Sequence, residues 1–225
     1  IQVYGKAAEQ VQSGQCAALN VPQLELHGIE RGNVLTVSGY FTPGQWLLCA
    51  LTTLAGQSLP KKNGVQMKFH TGTVEVVASI YRVEEGREAD NEFLIQIRME
   101  TPLVAGPGDR FILRALSPVR TVGGGVILEA MTGRLRGSHG KAIEYARALA
   151  TAQRDNAAFA AFAVESAGTA VVRVKDVAVF IKQRPEKTQQ LLLELVEKQI
   201  VIKLSKDWYI HTRRLLALEA KLTAD

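Results

Sequence analysis

The chain has few of the residues that build metal sites, disulfide frameworks or membrane spans. Its 225 residues include two cysteines, Cys16 and Cys49, and four single histidines without the spacing of metal ligands. We therefore predict no metal site, and two buried free thiols of a reducing compartment rather than a disulfide. No apolar run is long enough to cross a membrane, and the first residues lack the pattern of a signal peptide. These absences predict a cytoplasmic protein without membrane contact.

The sequence also lacks a nucleotide-binding or catalytic motif. A phosphate-binding loop has the pattern Gly-x-x-x-x-Gly-Lys-Ser/Thr, whereas the three glycines at 123–125 are followed by valine and isoleucine. No Ser/His/Asp, Cys/His or carboxylate pair stands out, and we interpret Glu84, Glu85 and Glu88 as a solvated hairpin. We therefore predict no catalytic residue and no cofactor bound by this chain.

Charge is unevenly distributed along the chain. Residues 1–133 contain eleven Lys/Arg and twelve Asp/Glu, whereas residues 134–225 contain sixteen Lys/Arg and ten Asp/Glu. The excess in the last third is consistent either with a solvated basic surface or with an attraction for the phosphates of a nucleic acid. The charge alone does not decide between these two interpretations.

Residues 1–133 have the pattern of an all-β region. Short runs rich in β-branched residues are separated by Gly, Pro and Asn, and they lie at 16–21, 34–37, 46–51, 73–82, 93–99 and 111–116. A charged hairpin tip is expected at 86–91. A further hairpin turns at Ser117–Pro118 and enters a strand at 126–128 from the three glycines, which implies a bulge, a sharp corner or a close backbone approach. We predict a closed antiparallel barrel over residues 45–133, because closure removes bare strand edges.

Beyond residue 133 the apolar pattern becomes helical. We predict helices over 142–153, from an N-cap at Asp155 to 165, after Asp176, from Pro185 to 198 and over 213–222. A short strand near 171 and a hairpin over 200–211 complete the order of a winged helix-turn-helix module. The last helix and the wing of such modules often contact nucleic acid, but the fold also serves as a protein spacer.

Four segments of the chain resemble the translation elongation factors that deliver aminoacyl-tRNA. They are Val11-Gln-Ser-Gly-Gln-Cys-Ala-Ala-Leu-Asn20, Ile29-Glu-Arg-Gly-Asn-Val-Leu35, His70-Thr-Gly-Thr-Val74 and Arg120-Thr-Val-Gly-Gly-Gly-Val126. Ordinary members of this superfamily end soon after the last barrel strand, whereas this chain continues for about ninety residues. A barrel followed by winged helices resembles the bacterial selenocysteine-specific elongation factors.

This resemblance implies a multidomain fold of the β plus α class, in which elongation-factor-type antiparallel barrels precede a winged helix-turn-helix module. Residues 1–44 would be the C-terminal part of barrel domain II, residues 45–133 barrel domain III, and residues 134–225 a linker helix and a winged-helix module. The GTPase domain, with its GTP and Mg²⁺, would precede residue 1, so the whole protein would be a GTPase and this chain would not be an enzyme. Winged helices that bind an mRNA hairpin would follow residue 225.

The resemblance also implies partners and contact residues. The expected partners are selenocysteyl-tRNA, the ribosome and the mRNA hairpin, and a monomer is expected. RNA contacts are expected at Thr71, Gly72, Thr73, Arg114, Arg120, Gly123 and Gly124, and wing contacts at Lys203 and Lys206; the alternative is that these are structural turns and a solvated face. Two other functions stay open, a non-enzymatic spacer and an unrelated winged-helix regulator that binds DNA.

Overall fold

The computed structural model of the chain describes residues 1–22, 28–84, 91–135, 139–168 and 170–223. The chain divides into two compact units, Ile1–Asn33 and Val34–Asp225. The described part of the first unit contains the short strands β1 (Gln2–Val3), β2 (Lys6–Ala7) and β3 (Ala17–Ala18), which pair in the order β2-β1-β3. The predicted strand at 16–21 is therefore only two residues long.

Two other expectations for this region are wrong. Residues 34–37 form no strand, and Cys16 is exposed, so only Cys49 is the buried free thiol that was expected. Burial in the barrel core raises the pKa of the Cys49 thiol well above its ordinary value. The expected hairpin tip at 86–91 lies, apart from Asn91, outside the described residues.

The second unit opens with the predicted closed antiparallel barrel. Its strands are β4 (Gly44–Thr53), β5 (Val65–Thr71), β6 (Val74–Arg82), β7 (Glu92–Leu103), β8 (Arg110–Arg114) and β9 (Thr121–Met131), paired in the closed order β4-β7-β6-β5-β8-β9. Alternate side chains such as Leu47, Phe69 and Ile97 point inward and fill one core. No helix occurs in the described part of 45–130. Strand β5 was not among the predicted strands.

The three glycines lie inside β9 and not at its start, so the predicted strand boundary at residue 126 is wrong. Gly123 and Gly125 pair with residues of both β4 and β8. A Cβ at Gly125 would overlap the Ala50 carbonyl oxygen, and one at Gly124 would lie 2.8 Å from the Phe111 carbonyl oxygen. The glycines therefore allow three strand backbones to approach closely where the barrel closes.

A second core joins the outer surface of the barrel to the helices. Leu48, Leu94 and Leu128 of β4, β7 and β9 pack with α1 (His139–Ala152) and α2 (Asn156–Ser166). The β4–β9 register shifts between Leu48 and Cys49, and the Leu128 carbonyl there accepts a hydrogen bond from the Gln153 side chain. Strand β4 is buried on both faces because the helices cover its outer side.

The remaining elements have the winged-helix order. They are β10 (Val172–Arg173), α3 (Val174–Ile181), α4 (Pro185–Glu197), β11 (Val201–Lys203), β12 (Trp208–His211) and α5 (Thr212–Leu222), with the sheet order β10-β12-β11. Asp155 caps α2 as predicted, accepting the Ala158 N–H at 2.8 Å, and α4 begins at Pro185. The N-cap of α3 is Arg173 rather than Asp176, whose carboxylate instead accepts the Arg173 N–H at 3.2 Å.

Candidate nucleic-acid interface

The strand register divides the predicted RNA contacts between the two ends of the barrel. At one end, loop 115–120 connects β8 to β9, and the Leu54 N–H that starts loop 54–64 donates to the Val122 carbonyl at 2.9 Å. At the other end, Gly72–Thr73 connects β5 to β6, and Thr71 pairs with Phe111 at the start of β8. About 10 Å of strand separates Phe111 from Arg114. We call these the Arg120 end and the Gly72 end.

At the Gly72 end, both residues of the turn itself are exposed, and so are Asp109 and Arg110 at the start of β8. Gly72 has a φ of +54°, and no atom of the described residues lies within 4 Å of where its Cβ would be. Thr71 is buried, and its hydroxyl donates to the Arg110 carbonyl at 2.9 Å. Gly72 and Thr73 are therefore open to a partner, whereas the Thr71 side chain stabilises the barrel.

At the Arg120 end lie two arginines, of which only Arg120 is exposed. Arg120 forms no ion pair within 4 Å among the described residues. Arg114 is half-buried, and its Nε is a buried atom without a hydrogen-bond partner within the part of the chain that the structure describes, so this atom is closed to a ligand. Lys68 of β5 lies directly beside Arg114 in the register. This end therefore presents the exposed guanidinium of Arg120, with two half-buried cations on neighbouring strands.

The outer surface of β5, β6 and β8 carries a group that we call the Lys68 cluster: Lys68, His70, Glu75 and Arg114. The Lys68 Nζ lies 2.7 Å from Glu75 Oε1, and His70 Nδ1 lies 3.8 Å from Glu75 Oε2. The hydrogen bond from Lys68 lowers the pKa of the Glu75 carboxyl, with further contributions from the Lys68, His70 and Arg114 charges. Lys68 and Arg114 are permanently charged, so with the single carboxylate of Glu75 they leave a net positive surface, which suits an anionic ligand.

Sequence reasoning missed Lys68, His70 and Glu75. The alternation of β5, in which Met67 and Phe69 point into the core, would have placed Lys68 and His70 on the outer face if the strand had been recognised. Gly123 is buried and Gly124 is half-buried within the β9 ladders. The close approach of the strand backbones explains why both positions are glycine, and contact of these glycines with RNA stays a prediction.

The wing is exposed and basic, whereas α4, the helix that precedes the wing, exposes acidic as well as basic residues. Lys203 and Lys206 are exposed around turn 205–207, and the Arg173 guanidinium carbon lies 5.4 Å from the centre of the exposed Trp208 ring. The exposed charged residues within α4 are Glu186, Glu194, Glu197 and Lys187, and Arg184 and Lys198 are exposed at its two caps. A helix of this charge is poorly suited to enter a DNA groove, which disfavours the DNA-binding regulator.

No metal or membrane chemistry is visible in the described residues. They contain no group of three or more His, Cys, Asp or Glu side chains arranged to hold a metal ion. None of their helices combines the length and the apolar character needed to cross a bilayer.

A family model matches the barrel. Residues 50–134 match the model described as the β-barrel domain of the selenocysteine-specific elongation factor. The barrel is similar to the barrel domain of this family. The selenocysteine-specific elongation factor of Desulfomicrobium baculatum is 28% identical over 208 residues, which are 92% of this chain and 32% of that protein. The chain thus spans about a third of the length of this curated relative.

One solved structure supports the fold over nearly the whole chain. The bacterial selenocysteine-specific elongation factor EF-Sec superposes with a TM-score of 0.67 at 16% identity, covering 99% of this chain and 33% of that one. The elongation factor SelB of Methanococcus maripaludis, in its apo form, covers 58% of this chain and 32% of that one at 17% identity, with a TM-score of 0.49. The predicted resemblance and the predicted fold class, barrel followed by a helical module, are confirmed.

Proposed function

We propose that the chain is the part of a selenocysteine-specific elongation factor that contacts the body of selenocysteyl-tRNA during its GTP-dependent delivery to the ribosome. The similarity along 92% of the chain to a curated member of this family supports the proposal. In the whole protein, a GTPase domain outside this chain would bind GTP and Mg²⁺, and further winged helices would bind the mRNA hairpin. A cytoplasmic, monomeric protein is consistent with this role.

Within the chain, we place the main tRNA contact at the Arg120 end. The observation that carries this assignment is the exposed Arg120, which forms no ion pair among the described residues, on a barrel where Lys68 and Arg114 lie side by side in the register. Phosphate oxygens accept hydrogen bonds from such groups, and phosphate contacts position a protein on RNA without reading its sequence. The Lys68 cluster would continue this surface along the barrel.

The Gly72 end would supply a second, weaker contact. Gly72 and Thr73 carry no charge, but their exposed backbone allows a ribose or phosphate to approach closely. Contacts with Gly123 and Gly124 would require RNA to reach half-buried or buried positions of β9. We therefore rank these two glycines below the arginines.

Replacing Arg120 by Ala tests the proposed contact. We expect weaker binding of tRNA by about 1 to 3 kcal/mol, since a guanidinium–phosphate pair is lost. The slope of log K against log salt should also fall by roughly one, for one phosphate no longer neutralised. Fluorescence anisotropy with labelled tRNA across a salt series measures both quantities. Arg154→Ala, which removes an equally exposed arginine just beyond α1, is the matched control.

Two outcomes would contradict the assignment. Equal losses for Arg120→Ala and Arg154→Ala would mean that tRNA responds to overall charge and not to this site. Unchanged affinity in both variants would favour the spacer function, in which this chain only connects other RNA-binding parts.

A further inference from the structure

A short segment before the barrel bridges the barrel to the winged module. We call residues 38–42, which lie between the first unit and β4, the strap. The Lys182 ammonium donates a hydrogen bond to the Tyr40 carbonyl, and the Tyr40 hydroxyl donates to the Gln183 carbonyl at 3.3 Å. Lys182 and Gln183 are the two residues that directly follow α3. The strap is thus tied to the C-terminal end of this helix.

Both the backbone conformation and the side-chain contacts of Lys182 favour this interaction with the strap. It has left-handed backbone geometry, with a φ of +54°, and so ends α3 while its side chain reaches the strap. Its Nζ lies 4.6 Å from the centre of the Phe41 ring, which is a cation–π geometry. Burial lowers the pKa of the Lys182 ammonium, so the carbonyl and the ring replace water that this group has lost.

Phe41 contacts the barrel on its other side. A Cβ at Gly106, in the loop between β7 and β8, would lie 2.9 Å from the Phe41 ring, so the ring packs directly on the Gly106 backbone. The Gly106 N–H donates to Asp109 at 2.8 Å, which fixes this loop. Phe41 therefore sits between the barrel and Lys182 of the winged module.

Beneath the strap, a gap remains between α3 and the barrel. A crevice of about 360 Å³ separates Leu128–Ala130 of β9 from Val179 and Phe180 of α3, with Phe41 and Lys182 at its wall. The helices are also attached to the barrel through the second core, which includes α1 and α2; here the Tyr145 hydroxyl donates to Glu129 at 2.8 Å and Gln153 bonds the Leu128 carbonyl. The winged module is therefore held through α1 and α2 on one side of an open crevice and by the strap at the other.

We propose that the strap is a latch that fixes the orientation of the winged module relative to the barrel. When Lys182 and Phe41 separate, the module pivots about α1 and the crevice changes width. Residues 34–37 connect the strap to the first unit, so a displacement of that connection acts on Lys182 and α3 directly. The latch thus couples the position of the strap to the orientation of the winged module, and this coupling does not depend on RNA binding.

Distance measurements between spin labels test the latch on the whole chain. Cys16→Ser removes the exposed thiol, Cys49 is buried, and labels go on Lys61→Cys of loop 54–64 and Lys206→Cys of the wing, which are both exposed. With the strap contacts intact we expect one narrow distance distribution. In the Lys182→Ala and Phe41→Ala variants we expect a broadened distribution or a second distance. Lys187→Ala on the exposed side of α4 is the matched control and should leave the distribution narrow.

An unchanged narrow distribution in both strap variants would overturn the proposal, because the core around α1 would then suffice to fix the module. Circular dichroism checks that each variant is folded. If Phe41→Ala does not fold, Lys182→Gln keeps the packing and removes the charge. In that variant, amide hydrogen exchange of α3 should accelerate several-fold, with α1 unaffected; unchanged exchange in α3 would also overturn the latch.

Discussion

Single residues decide whether the barrel closes. At Gly125, a side chain of any size meets the backbone of β4, since the Ala50 carbonyl occupies the space of a Cβ. A backbone atom cannot rotate away as a side chain does, so the strands themselves must separate. Gly123 and Gly124 are constrained in the same way by Thr52 and Phe111. The need for glycine is therefore steric, and it comes from the protein's own backbone.

We accordingly expect Gly125→Ala to destabilise the barrel by more than about 3 kcal/mol, beyond the usual cost of overpacking. Urea unfolding followed by circular dichroism measures this free energy. Gly133→Ala is the control, because no atom of the described residues lies within 4 Å of its Cβ position and its expected effect is near zero. Equal stability of the two variants would show that β9 can move away from β4 at little cost.

At the level of elements, α5 depends on a histidine cap. His211 is buried, and its Nδ1 accepts the Arg213 N–H at 3.2 Å, while its Nε2 lies 3.9 Å from a Glu165 oxygen. Burial lowers the pKa of His211, against the opposite influence of Glu165. Nδ1 can accept this hydrogen bond only when it carries no proton, so the cap requires the neutral ring.

Acid should therefore loosen the start of α5. Since the pKa of His211 is lowered in the folded chain, its stabilising effect is complete above the unfolded pKa of about 6.5 and is lost as the pH falls below that value. We expect hydrogen exchange at the Arg213 amide, corrected for intrinsic rates, to lose protection between pH 7.5 and 5.5. In His211→Asn, the new side chain still accepts a hydrogen bond at the N-cap, which stabilises the helix by about 1 kcal/mol, and it does not titrate. Protection of the Arg213 amide in this variant should therefore not change over the same pH range. The same pH dependence in both proteins would exclude the histidine as the cause.

For the whole molecule, the question is which basic surface binds RNA. Residues 134–225 carry the whole positive excess of the sequence, but the exposed residues of α4 include three glutamates. The exposed Arg120, which forms no ion pair among the described residues, lies on the barrel instead. We therefore propose the barrel, rather than the more basic winged module, as the RNA-binding part.

Neutralising Lys203 and Lys206 together should leave tRNA affinity and its salt slope nearly unchanged. If both lysines bound phosphate, the slope would fall by up to about two. The salt series used for Arg120→Ala measures this directly on the double alanine variant. A loss as severe as that of Arg120→Ala would move the principal RNA contact to the wing.

The chain should also neither bind nor hydrolyse GTP by itself. No segment has the glycine-rich loop with a lysine and a magnesium-binding hydroxyl that phosphate binding requires. Titration calorimetry of the chain with GTP and Mg²⁺ should give no saturable heat. A saturable signal would require a nucleotide site that the sequence does not predict.

The sequence by itself determined the change from strands to helices near residue 133, the cap at Asp155, the start of α4 at Pro185 and the family that the barrel resembles. These features rest on local signals, such as apolar periodicity, capping side chains and short motifs, which need no knowledge of distant residues. Strand β5 escaped because its polar outer residues Lys68 and His70 interrupt the apolar run.

Only the tertiary structure decided which residues meet. The barrel order β4-β7-β6-β5-β8-β9 places Lys68 beside Arg114, separates Gly72 from Arg120, and brings Gly125 against Ala50. The strap likewise joins Tyr40 to Lys182 across 142 positions of sequence. Such contacts depend on strand register and on the packing of one element against another, and the local pattern of neither partner specifies them.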